Sequence, residues 1–416
     1  MRHTLKQWCV KAIVALSVGL GAWTSSEAQR LVWLGVPEGS ESIAMCVSDD
    51  GTLVAGRTGN LLTNSSAADA FLWNLRTNTV VRLSNNGGVP FGMTPDGSKI
   101  VGDTNRYGGS YTSFAFLWTP AGGTQILPAP NGTTHWAINI TPDGSRTCGA
   151  VKYYGPAIWD TASNPPRLLR IYPVYGEMCD LSDDVRTALR FDGTYGNIWR
   201  LNAQLDVQSE VILPPFGSDP YTLAVRLSPD GGVVVGMSGE IYDIWLGVGN
   251  NYRPAMWRAA RNWQVEPLAT LGGQRGFAWD VNADTIVGFC STPSGENRAV
   301  RWRISTATTQ VEDLNVVYAS LLSGGSRLRV AYGMSRNGRF IVGTGLNAAT
   351  GRLEAFLLDT RRTGDVDGNG CVDDADLLQV LFVFGQSGSN PADVNGDGIV
   401  DDADLLLVLF NFGSGC

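Results

Sequence analysis

The sequence predicts an all-β body, a seven-bladed β-propeller closed by an N-terminal strand, followed by a small α-helical tail built on two calcium-binding loops. Three observations predict it: a four-strand phrase that occurs seven times, an orphan strand ahead of the first copy, and a duplicated acidic motif after the last. The boundaries that follow are 1–28 for a signal peptide, 29–360 for the propeller and 361–416 for the tail.

The phrase is cleanest at 221–268. An apolar run reaches Ser228-Pro229-Asp230-Gly231, a second run ends at Gly236, a third at Trp257 and a fourth at Leu268. Pro presets φ and Gly accepts a positive φ, so Pro-Asp-Gly between β-branched runs is hairpin chemistry. The turn recurs at Ser48-Asp49-Asp50-Gly51, Thr94-Pro95-Asp96-Gly97, Thr141-Pro142-Asp143-Gly144, Ser182-Asp183-Asp184-Val185, Asn282-Ala283-Asp284-Thr285 and Ser335-Arg336-Asn337-Gly338. The second run also ends in Gly at Gly56, Gly102, Gly149, Gly288 and Gly343, and Leu189 takes that place in the fourth copy. The third run ends in Trp73, Trp118, Trp159, Trp199 and Trp302, with Leu358 in the seventh copy. A period near 45 residues with four strands per unit is the pattern of propeller blades, since solenoid repeats are shorter or helical. The seventh copy lacks a fourth strand, and the orphan Leu31-Val32-Trp33-Leu34 is similar to the fourth strand Val80-Val81-Arg82-Leu83. Pairing the orphan with residues 354–358 closes the ring and leaves no exposed edge.

These units resemble HAF-type extracellular repeats, which read Ser-x-Asp-Gly, a Val-Val-Gly run, then Ala-Phe-x-Trp. Ala70-Phe71-Leu72-Trp73 and Ala115-Phe116-Leu117-Trp118 match that wording directly. The resemblance implies a fold and an extracellular setting, with no defined reaction. The Ser-Pro-Asp-Gly hairpins also resemble those of periplasmic TolB-type propellers and, more loosely, the Asp boxes of sialidases. The second likeness fails at its Trp and carries no sialidase activity over.

Composition agrees with an all-β body: 51 Gly, 13 Trp and very few Lys in 416 residues, 44% apolar and 17% charged. The net charge of −8 is unevenly placed, because residues 363–416 hold ten Asp and no Lys or Arg. A near-neutral body with an acidic tail gives no footprint for nucleic acid. Arg2, Lys6 and Lys11 precede an apolar stretch, and Ser26-Glu27-Ala28 offers small residues for cleavage before Gln29, which reads as a secretory signal. That stretch is shorter than the roughly 20 residues of a membrane span. The expectation is a protein exported by a bacterium to the extracellular space or cell surface, with no membrane span.

Six Cys follow the signal, and export permits disulfides among them. Cys371 with Cys416 is the expected pair, because both lie in the tail. Closing that loop would stabilise the tail by about 4 kcal/mol in the chain-entropy account.

The tail reads Asp365-x-Asp367-x-Asn369-Gly370-x-x-Asp373-x-x-Asp376 and, 28 residues later, Asp393-x-Asn395-x-Asp397-Gly398-x-x-Asp401-x-x-Asp404. Oxygen side chains at loop positions 1, 3, 5, 9 and 12, with Gly at 6, are calcium-loop spacing, and the carbonyls of Cys371 and Ile399 would supply position 7. So many acidic and amide groups repel one another without a divalent cation, so calcium is expected to fold the segment as it binds. Each loop runs into one apolar helix, with no entering helix. Asp at position 12, the single helix and the duplication together resemble a type I dockerin. That resemblance implies a calcium-dependent module docking on a cohesin-like partner, in a family often attached to polysaccharide-degrading enzymes. Dockerins often carry Ser or Thr at positions 10 and 11, where this chain has Asp374-Ala375 and Asp402-Ala403, which leaves room for another surface protein as partner.

No catalytic constellation emerges. His135 is the one His after the signal and reads as a packed residue, and no phosphate-cradling loop occurs at a strand-to-helix junction. A glycosidase needs only two carboxylates, for which Glu177, Asp180, Glu240, Asp243 and Asp280 are the candidates. The repeated turn Asp residues are excluded as sites because turn formation already requires one per blade. Tyr placement points elsewhere. Loops between second and third strands share one propeller face with the loops joining blades. Tyr107, Tyr111, Tyr153, Tyr154, Tyr195, Tyr242 and Tyr252 fall in or beside the former, and Tyr172, Tyr175 and Tyr318 in the latter, with Trp245 in the longest loop. Rigid rings with a polar tip suit stacking on sugar rings or anchoring a protein, and equally suit packing over the blade tops. The sequence therefore favours a non-catalytic binding or scaffold body whose ligand-binding candidates are Tyr107, Tyr111, Tyr153, Tyr154, Tyr175, Tyr195, Tyr242, Trp245 and Tyr252. The alternatives are a dockerin-bearing carbohydrate-active enzyme and a structural envelope protein.

Overall fold

The repeated turn folds on its own side chains. The Ser228 hydroxyl donates to Asp230 Oδ1 at 2.5 Å, and Asp230 Oδ1 accepts the Gly232 N–H at 2.9 Å. Ser228 Oγ accepts the Val233 N–H at 2.9 Å, and Gly231 sits at φ +67°, a backbone state that favours glycine. The hydroxyl-to-carboxylate bond recurs at Asp50, Asp96, Asp143 and Asp184, and Asn337 accepts it in the seventh copy. In the sixth copy Asn282 does the work, its Oδ1 accepting the N–H groups of Asp284 and Thr285.

The computed structural model describes residues 29–416 apart from 60–68, 85–87, 105–112, 241–250, 305–309, 369–370, 388–389, 396 and 415–416. The predicted signal therefore lies outside the described residues. The chain divides into two units, Ala28–Arg362 and Thr363–Cys416.

The first unit is seven four-stranded antiparallel sheets, at 42–84, 89–126, 135–171, 177–212, 221–267 and 276–313, with the seventh at 327–359. The seventh is completed from the other end of the chain: Arg30–Gly35 pairs with Arg352–Asp359, setting Leu31 against Leu358 and Trp33 against Phe356. That is the predicted closure. A short helix α1 (Leu314–Val317) lies between the sixth and seventh blades. Apolar side chains of neighbouring blades interdigitate, as where Val101 and Leu117 of the second meet Ala137 and Trp159 of the third. The strand-end Trp residues also tie the links between blades. Trp159, Trp257 and Trp302 donate their indole N–H to the carbonyls of Pro128, Pro214 and Ala269 at 2.7 to 2.9 Å.

Every inner strand skips a residue in its register with the next strand, at Met45, Phe91, Ile138, Cys179, Val225, Trp279 and Tyr332, and the seventh skips a second at Arg329. The recurrent glycines sit beside the shared bulge. A Cβ at Gly236 would stand 2.0 Å from the Leu223 carbonyl oxygen, and Gly56, Gly102, Gly149, Gly288 and Gly343 meet the same obstacle. One expectation is corrected. The register places Arg190, not Leu189, in the glycine position of the fourth blade, because Arg190 faces Met178 as Gly56 faces Ala44.

The second unit is a duplicated loop and helix, α2 (Asp374–Phe382) and α3 (Asp402–Asn411). Asp373 and Asp401 each cap their helix, and Asp376 and Asp404 return the bond in a capping box. The halves exchange backbone bonds symmetrically. Val372 pairs with Gly413 and Ser414, and Val400 with Gly385 and Gln386. Val366, Val372 and Val380 pack with Val394, Val400 and Val408 as its core. Cys371 is disulfide-bonded to a partner outside the described residues, while Cys46, Cys148, Cys179 and Cys290 are free thiols. Among the described residues no helix is long and apolar enough to cross a membrane.

Candidate binding groove and metal loops

A groove of about 860 Å³ opens where the third and fourth blades meet. One wall is the tight loop between strands Arg146–Val151 and Gly155–Asp160, closed by the Tyr154 N–H on the Val151 carbonyl at 3.0 Å. Tyr153 at its tip has φ +68°, unusual for a bulky residue, and is 89% exposed. Lys152 Nζ lies 5.1 Å from the centre of that ring, within cation–π range. The opposite wall is the link between the blades. It carries exposed Val174 and Tyr175, the latter 80% exposed and resting over Gly193. The floor holds Trp136, whose indole N–H donates to Glu177 Oε2 at 2.6 Å, and Phe191. Arg190 fixes the second wall from beneath. Its guanidinium donates to the Tyr175 carbonyl, pairs with Glu210 at 3.1 Å and stacks over Trp199 at 5.3 Å.

Of the predicted ligand residues the structure brings together Tyr153, Tyr154 and Tyr175. Tyr107, Tyr111, Tyr242 and Trp245 lie outside the described residues. Tyr252 is only 1% exposed, edge-on to Phe289 at 6.3 Å, and belongs to the core rather than to a binding face. Tyr195 is half-buried in a turn, where its N–H donates to Asp192 Oδ1 at 2.8 Å. Tyr172 and Tyr318 are buried. Trp136, Lys152 and Arg190 were not foreseen. The signals were present, in a two-Tyr tip on a very short loop and in an Arg five residues beyond the turn, where Gly stands in five other copies.

Among the described residues the carboxylate candidates divide between the groove, a strand end and the channel, where Asp180 and Asp280 both line the level around Arg226. Glu177 is in the groove, Glu240 is exposed at the end of strand Val233–Glu240, and Asp243 lies outside the described residues. Asp180 and Asp280 clamp neighbouring blades. Asp180 accepts the N–H groups of Leu181 and, from the next blade, Leu227, both at 2.8 Å. Asp280 accepts those of Val281 and Met334 at 2.9 Å. Burial pushes the Asp280 carboxyl up to about 6 against the pull of Arg226, and raises Asp180 in the same way. His135 is buried, with its ring nitrogens 2.7 Å from the Thr133 carbonyl and 2.8 Å from that of Leu127.

In the tail, carboxylate oxygens of Asp365, Asp367 and Asp376 lie within 4.8 Å of one another. In the second loop Asp393 accepts the Gly398 N–H at 2.9 Å, Asn395 Oδ1 that of Asp397 at 2.8 Å, and Asp397 that of Ile399 at 3.0 Å. Asp376 and Asp404 hold their loops to their helices through the N–H groups of Val366 and Asn395. Asn369 lies outside the described residues. Asp365, Asp376, Asp393 and Asp404 are all buried in a unit whose sequence contains no Lys, Arg or His. An oxygen-only, anionic donor set of this kind fits a hard divalent cation.

Known proteins add little. No family model and no curated protein matches this chain. Among solved structures, a TolB-type protein from Agrobacterium tumefaciens overlays 64% of this chain and 91% of its own at 17% identity, with a TM-score of 0.40. The β-propeller domain of the Trilobed protease from Pyrococcus furiosus overlays 80% of this chain and 97% of its own at 12% identity, with a TM-score of 0.47. At these values the overlays add nothing to the fold that the strand register establishes.

Proposed function

We propose that this chain is a secreted, non-catalytic propeller that binds a glycan or protein surface in the groove between its third and fourth blades. The observation that carries the reading is the strained and protruding Tyr153 facing exposed Tyr175 across a Trp136 floor. Two aromatic plates with Lys152 and Glu177 between them offer stacking surface and polar contacts together, the combination that sugar recognition uses. The tail would be a calcium-loaded docking module that attaches the propeller to a cohesin-like or other surface protein. Phe382 and Phe410, both 81% exposed at matching places on α2 and α3, support a docking role.

The test is a glycan array probed with the purified protein beside Tyr153→Ala and Tyr175→Ala. Each substitution removes one stacking plate, worth about 1 kcal/mol or more, and should weaken any bound glycan at least fivefold. Binding that both variants retain in full would place the site elsewhere. Cleavage of a bound glycan, lost in Glu177→Gln, would overturn the non-catalytic reading in favour of a carbohydrate-active enzyme.

A further inference from the structure

The bulged residues Met45, Phe91, Ile138, Cys179, Val225, Trp279 and Tyr332, all uncharged, line one cavity of about 230 Å³ in the central channel, and Arg329, at the extra bulge of the seventh blade, lines it too. On the side of the repeated turns the channel meets a polar level, where Arg226 reaches across to the Phe91 carbonyl at 2.9 Å. Away from the turns the cavity opens past Asn297 and Arg329. A second cavity of about 380 Å³ shares Glu41, Arg329 and Leu353 with the first and is walled by Arg352.

Three observations give this mouth a chemistry. Its inner wall is aromatic: Trp279 stacks on Phe277 at 4.1 Å and tilts against Tyr332 at 5.3 Å, with Phe91 at the same level. Trp279 Nε1 and Asn297 Oδ1 are buried with no hydrogen-bond partner among the described residues, a donor and an acceptor that buried groups normally satisfy. The guanidinium groups of Arg329 and Arg352 make no ion pair among the described residues, whereas Arg327 and Arg298 nearby are both held by Glu296. We propose that the channel mouth binds a small aromatic anion, its ring system among Trp279, Tyr332 and Phe91 and its acidic group on Arg329 and Arg352. Glu41 at the same mouth restricts the ligand to one negative charge, because a polyanion would meet it.

The probes are 8-anilinonaphthalene-1-sulfonate and its uncharged counterpart N-phenyl-1-naphthylamine, titrated by fluorescence into the full-length protein. Expected is saturable binding of one sulfonate per chain. Arg329→Ala with Arg352→Ala should weaken the sulfonate at least tenfold and the neutral probe less than twofold. Val225→Phe, which fills the cavity, should weaken both. Phe382→Ser with Phe410→Ser, which strips the apolar tail surface, should change neither. Sulfonate affinity within twofold of wild type in the double arginine variant overturns the proposal, as does its loss in the tail variant. The arginines are exposed, so that variant is informative even where Val225→Phe fails to fold.

Discussion

At the scale of single residues, the acidic side chains of the propeller divide into two groups with opposite pH behaviour. The Asp96 carboxyl is held below its ordinary value by the Thr94 hydroxyl and the Ser98 N–H, and Asp230 by the Ser228 hydroxyl and the Gly232 N–H. Their contribution to stability is present above the unfolded value of 3.8 and is lost as pH falls through the lower folded one. Asp280 does the reverse. Its folded value of about 6 exceeds 3.8, so between those values the native state binds the extra proton. Stability from this group therefore falls as pH rises from 3.8 to about 6 and is level above. Asp280→Asn removes this dependence while keeping a side-chain acceptor. The melting-temperature gap between wild type and Asp280→Asn should move in favour of the wild type when the pH is lowered from 7 to 5. Equal gaps at the two pH values would sink the assignment. The role of the turn residues was legible, because Ser, Asp and Gly at fixed offsets define that turn chemically. The clamp role of Asp280 was not, because its partner, the Met334 N–H, comes from another blade 54 positions away.

At the scale of strands, the glycine and the bulge are one device. The inner strand gains a residue, its preceding carbonyl tilts towards the second strand, and in six blades a Cβ opposite would collide with it, the fourth blade alone carrying a side chain there, that of Arg190. Gly236→Ala would set a methyl group 2.0 Å from the Leu223 carbonyl oxygen, against backbone that cannot move without breaking the ladder. The expected loss is about 3 kcal/mol, read as a lower urea midpoint at unchanged slope. A midpoint equal to wild type would show that the bulge relaxes freely. Sequence reading found the glycines and missed the reason, since a bulge leaves no residue signature of its own. It also misplaced the exception by one position. Apolar runs end raggedly, whereas the interval from turn to glycine is five residues in five copies, and that interval from Val185 reaches Arg190. The slip matters for the candidate site, because Arg190 is the side chain that holds the Tyr175 carbonyl. The groove itself was only half legible: a count of Tyr residues per face cannot separate Tyr153, thrust outward, from Tyr252, drawn into the core.

At the scale of the molecule, two units obey different stability rules. The propeller is a covalently open ring whose first strand lies against its last, and its buried carboxylates have partners in their own unit, as Asp359 has Arg339 and Asp180 the Leu227 N–H. The tail has a small valine core and four buried carboxylates, with no side-chain cation in its own sequence to offset them. Burying carboxylates costs several kcal/mol each unless opposite charge compensates, so the tail should depend on a bound divalent cation in a way the propeller does not. In buffer with calcium the full-length protein is expected to melt in two transitions. Chelation should abolish or markedly lower the tail transition and leave the propeller transition within about 1 °C, because among the described residues the propeller has no carboxylate cluster suited to a cation. The paired substitution Asp365→Asn and Asp393→Asn should reproduce the effect of chelation with calcium present, since these residues open the two loops. A tail transition indifferent to both treatments would mean that backbone N–H groups alone, such as that of Gly398 on Asp393, compensate the buried charge. The calcium-dependent docking role would then fall, while the groove on the propeller would keep its own test.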